Sequence, residues 1–157
     1  MPSRSSTRIT CLRWWMAVPE DGSEGIFSKT PEVDGAMRSA EANFARGEYE
    51  QARDGYIQVL LLEPTNYDAA LFIGDVYFKQ HVQGSAGEWF ARAIQIDPNR
   101  ETAYRYWADS LLALGRNNEA RLKFIDAIVA EPSRQRAWDG AQKWAHLNKT
   151  ELHLLAT

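Results

Sequence analysis

Cysteine is almost missing from this chain: its 157 residues hold one, Cys11. A lone cysteine makes no internal disulfide and cannot begin a cysteine-rich zinc site. Histidine is nearly as scarce. His81, His146 and His153 are the only three, and no two have the i, i+4 spacing of a helical zinc site. There is no glycine-rich phosphate loop and no nucleophile elbow. No apolar run approaches the roughly eighteen residues that span a bilayer. Neither charge dominates: the formal net charge is −3, which argues against general affinity for nucleic acid or anionic membrane. The expectation is therefore no catalytic residue, no cofactor, no bound metal, no nucleic-acid partner and no membrane span.

What the chain does have is repetition. Pro64, Pro98 and Pro132 are spaced by 34 residues, each preceded by an acid at Glu63, Asp97 and Glu131. The same step relates Ala52, Ala86 and Ala120. It also relates Tyr56, Phe90 and Phe124, then Val59, Ala93 and Ala127, then Ala40, Gly74 and Ala108. So many registers held over three copies mark a repeat architecture.

Within each copy the apolar residues recur at helical spacing, twice. The first helix carries Ala70, Ile73, Gly74 and Tyr77, or Tyr104, Trp107, Ala108 and Leu111. The second carries Ala52, Tyr56, Val59 and Leu60, or Ala120, Phe124, Ala127 and Ile128. Gly47 and Gly115 suit the left-handed cap between them. In the second copy His81 stands there instead, and Gly84–Ser85 is expected to supply the turn. Each second helix must stop before its proline. Thr65, Asn99 and Ser133 follow as expected N-caps. Thr30–Pro31–Glu32 opens the array with a cap, a first-turn proline and an acid at the positive helix end.

These residues resemble the tetratricopeptide repeat. The resemblance covers 33–66, 67–100 and 101–134, with 135–148 resuming the first-helix pattern through Ala137, Trp138, Ala141 and Trp144. It implies an all-α fold: a right-handed helical-repeat solenoid of three helix pairs plus a C-terminal capping helix. It also implies a concave surface lined by the first helices, where an extended or helical segment of a partner lies. Carried over position by position, the groove residues are Met37, Glu41, Phe44, Asp68, Leu71, Asp75, Phe78, Lys79, Arg105, Asp109, Leu112, Arg136 and Lys143. Met37, Phe44, Leu71, Phe78 and Leu112 read as an apolar strip beside a row of acids.

The expected function is thus a protein–protein interaction module with an apolar-acidic groove, suited to an apolar segment with basic flanks. The alternative is a structural or self-assembling piece that stacks through its repeat ends. Monomer or weak self-association goes with these readings. Chaperone adaptors of the family clamp an acidic tail with Lys, Asn and Arg. Their positions here hold Met37, Glu41, Phe72, Thr102 and Tyr106, so the resemblance disfavours a chaperone acidic tail.

Residues 1–30 stand apart. Arg4, Arg8 and Arg13 occur there with no acid before Glu20, around an apolar stretch with Leu12, Trp14, Trp15 and Met16. Three readings stay open: a start at Met16 with the upstream residues not translated, a targeting or tethering segment, and a flexible arm. The expected location is the cytoplasm, or a mitochondrion or membrane tether if the arm is a targeting segment. Residues 149–157 read as a short tail.

Overall fold

The structure, a computed structural model, describes residues 30–149. The expectations for the arm and for the tail lie outside the described residues, apart from Thr30 and Lys149.

Among the described residues there are seven helices and no strand. They are α1 (Pro31–Ala45), α2 (Tyr49–Leu62), α3 (Tyr67–Lys79), α4 (Gln83–Ile96), α5 (Glu101–Ala113), α6 (Asn117–Ala130) and α7 (Gln135–Leu147). Three pairs and a closing helix follow one another as the 34-residue period requires, forming an all-α solenoid.

Local chemistry sets the helix ends. Thr30 Oγ1 accepts from the Val33 amide at 3.4 Å, Pro31 occupies the first turn, and Glu32 and Asp34 face the positive end of the helix dipole. Gly47 and Gly115 take φ of +77° and +72°. His81 takes +62° at the same register, so it makes the turn itself, and Gly84 and Ser85 lie inside α4 rather than forming a turn.

The N-cap expectation is off by one. The caps are Asn66, Arg100 and Arg134, not Thr65, Asn99 and Ser133. Pro64 and Pro132 each sit second in a reverse turn closed by Asn66 N to Glu63 O and Arg134 N to Glu131 O, both 3.0 Å. The residue after the proline is then inside the turn, and only the next one can be extended.

The repeated residues build the joints between pairs. Tyr56 and Phe72 stand 5.5 Å apart by ring centroid, and Phe90 and Tyr106 stand 6.2 Å apart, edge to face. At the third joint Gly140 replaces the aromatic. A Cβ there would fall 2.7 Å from Phe124 Cε1, so the ring lies against bare backbone of α7. Gly74 serves the same end within the second pair, where a Cβ would fall 2.5 Å from Phe90 Cε1. The core runs through three clusters, with Tyr77 and Trp89 packed on both the first and second and Trp107 on both the second and third. No break divides it.

One cap crosses a joint. Arg100 gives α5 no side-chain cap, but the Tyr67 hydroxyl, from the start of the preceding pair, accepts the Ala103 amide at 3.0 Å. Arg100 lies 3.8 Å over the Tyr67 ring and pairs with Asp68 at 2.9 Å. Burial pushes the Tyr67 phenol up to about 12, against the pull of that bond and of Arg100.

Candidate functional site

The first helices of the pairs, α1, α3, α5 and α7, share one face of the solenoid. Two clefts open along it. One, of about 220 Å³, lies between α3 and α5 and is lined by Asp75, Phe78, Lys79, Tyr106 and Asp109. The other, of about 270 Å³, lies between α5 and α7 and is lined by Arg105, Asp109, Arg136, Asp139, Gly140 and Lys143. They adjoin at Asp109.

The geometry brings together seven of the residues expected from the sequence: Asp75, Phe78, Lys79 and Asp109 in the first cleft, and Arg105, Arg136 and Lys143 with Asp109 in the second. It withdraws two. Met37 and Leu71 are 8% and 3% exposed and belong to the core clusters, so the apolar strip is shorter than expected. The joints draw the first helices close enough to swallow the residue at that position, except in α5, where it is Arg105. Phe44 is half-buried, edge-on to Tyr49 at 5.7 Å, and Leu112 packs on the third cluster. Glu41 is exposed. Neither Glu41, Phe44 nor Leu112 lines a cleft, and Asp68 is tied to Arg100 at the start of α5.

Tyr106 was not among the expected groove residues. Its signal was present in the sequence: it stands 34 residues after Phe72, an aromatic register that makes the first two joints and still leaves the ring partly open.

The charges are arranged unevenly. Arg105 bonds Glu101 at 3.0 Å and stacks over Tyr106 at 4.9 Å. Asp109 meets Lys143 at 3.3 Å. Asp75 receives no hydrogen bond and no ion pair from any described residue, and burial raises its carboxyl above the ordinary range, with Lys79 one turn on pulling it partly back. Among the described residues no group of three or more His, Cys, Asp or Glu is placed to hold a metal ion. No helix among them is long and apolar enough to cross a membrane.

Residues 37–101 match the sequence profile described as tetratricopeptide repeat. No curated protein matches the chain in sequence. Solved structures do match in fold. The Sgt2 TPR domain from Aspergillus fumigatus superposes with a TM-score of 0.69 at 23% identity, over 76% of this chain and 81% of that one. The first TPR of Spaghetti (RPAP3), bound to the HSP90 peptide SRMEEVD, gives 0.67 at 19% identity, over 80% and 100%. The second TPR domain of human RPAP3, in complex with the HSP70 peptide SGPTIEEVD, gives 0.61 at 22% identity, over 71% and 97%.

These complexes overturn one expectation. The absence of clamp residues at Met37, Glu41, Phe72, Thr102 and Tyr106 led to a chaperone acidic tail being disfavoured, yet proteins of this fold hold such tails. The physical reason is that Met37 and Phe72 are packed at the first core cluster and report on packing, not on ligand donors. Cations reach the same face from Arg105, Arg136 and Lys143. The exclusion does not stand.

Proposed function

Because the chain is a tetratricopeptide-repeat protein, we propose that it holds a segment of another protein along the face formed by α3, α5 and α7. The observation that carries this reading is the pair of adjoining clefts, whose walls combine partly open rings with Asp75, Lys79 and Arg136, charges that close no ion pair among the described residues. A partner that desolvates Phe78 and meets those charges would gain both affinity and register, as peptide-in-groove recognition requires. The groove is apolar and acidic over α3 and turns basic toward α7, where a carboxylate-rich segment of the kind held in the two complexes would find Arg105, Arg136 and Lys143.

Stacking through repeat ends is the competing reading. The side of α7 away from the groove weighs against it, since Gln142 and His146 are exposed there. Such a surface suits a helix that closes an array in water.

The test is site-specific photo-crosslinking in extract of the protein's own host. A crosslinking residue at Phe78 or Lys143 is expected to capture a partner protein. The same residue at Leu61, 69% exposed on α2, is expected to capture none. Equal capture from Leu61, or self-adducts alone, would refute the reading, the latter in favour of stacking.

A further inference from the structure

Three acids lie on the groove side of α3 and α5, and their environments differ. Asp68 is held by Arg100 and Asp109 by Lys143. Asp75 closes no ion pair among the described residues, although it is half-buried in the cleft that Phe78 and Tyr106 also line. Lys79 lies on the same helix, one turn away, without closing an ion pair. A carboxylate taken out of water and left unpaired is unfavourable, and a cation brought against it removes that cost. Burial already raises its carboxyl.

The next cleft shows the reverse. Arg136 is exposed there and has no ion pair among the described residues, while the Lys143–Asp109 pair is long and 61% exposed on the lysine side. Exposed pairs of that kind are weakly held and readily exchanged.

Resting on the groove reading above, we propose that the bound segment is bipolar. A lysine or arginine side chain enters the Asp75 cleft, and a carboxylate of the same segment meets Arg136 and Lys143. The alkyl stem of the cation lies along the Phe78 ring while its head meets the carboxylate. Packed helices stand roughly 8–10 Å apart, and an extended chain advances about 3.3 Å per residue. Asp75 stands on α3 and Arg136 and Lys143 on α7, two such spacings away, so the cation and the carboxylate are about five or six residues apart in an extended partner.

The experiment is selection of a random peptide library on the full chain, with binding of the selected peptides then measured on variants. Selected peptides are expected to carry Lys or Arg about five or six residues from Asp, Glu or the C-terminus. They should lose about tenfold or more in affinity on Asp75→Asn, and keep most of it on Asp75→Glu. Lys143→Glu should weaken the same peptides. Thermal unfolding of Asp75→Asn checks the fold, which should be intact because the change removes an unpaired charge. Peptides that depend on Phe78 and Lys143 but tolerate Asp75→Asn would overturn the bipolar proposal and leave the groove reading in place. Peptides insensitive to every groove variant, or no selection at all, would overturn both.

Discussion

The joints between helix pairs and the groove side of the same helices obey one period and use it in opposite ways. At the joints, residues 34 apart are alike: Tyr56, Phe90 and Phe124 are 1%, 0% and 1% exposed. On the groove side, residues 34 apart diverge: Asp75, Asp109 and Lys143, or Ala45, Lys79 and Ala113. A joint has to reproduce one helix-to-helix geometry each time, so its side chains are constrained by volume. The groove face has no such duty, and its differences between copies are where a partner can be told apart.

That contrast is sharpest in two phenylalanines. Phe90→Ala removes a fully buried ring and should cost about 3–5 kcal/mol in denaturant unfolding. Phe78→Ala, half-buried in the cleft, should cost far less, about 1 kcal/mol, while weakening partner binding. Equal destabilisation would make Phe78 a joint residue and erase the distinction. Glycines offer a second test, with opposite signs expected. Gly74→Ala drives a methyl into the Phe90 ring and should destabilise by about 1–3 kcal/mol. Gly35→Ala, on α1 with nothing within 4 Å of the added Cβ, should stabilise by roughly 0.5–1 kcal/mol.

Tyr67→Phe probes the joint's polar side. Losing the hydroxyl leaves the Ala103 amide without its acceptor, at about 1 kcal/mol. The smallest effect belongs to the groove. The Asp75 carboxyl is raised above its ordinary 3.8, so the folded state binds its proton more tightly than the unfolded state does. Stability from this group therefore falls as pH rises above 3.8 through the raised value. Asp75→Asn should melt a little higher than the parent at pH 7, by about 2 °C. The gap should close below pH 3.8. A variant that melts lower at pH 7 would mean that Asp75 serves the fold.

The joints were largely legible in the sequence because each rests on a residue that little else can replace: a proline that ends a helix, a small residue that admits a neighbour, a ring that fills the gap. The turns were less so. Thr65, Asn99 and Ser133 look like caps by composition, but the proline before each forces it into the turn, and the cap falls one place later. The groove was legible only in part. Periodicity says which side of a helix a residue is on, not how closely the next helix approaches, so Met37 and Leu71 could not be distinguished from Phe78. The Asp68–Arg100 pair joins residues 32 apart in sequence and depends on that same approach.

The left-handed turn has four copies, not three. After Gly47, His81 and Gly115, the next residue at that step is Lys149, with φ of +51°. In the three earlier copies a helix begins two residues later and runs back along its partner. The chain at Lys149 is thus already aimed like the others, which makes this end a natural splice point. A further helix grafted after it would start in register without disturbing α1 to α6. One residue stands in the way: Gln142 occupies the place of Ala40, Gly74 and Ala108, and a second helix could approach α7 closely only if that side chain were cut back to alanine or glycine. Adding a helix on this geometry takes that one substitution and one graft.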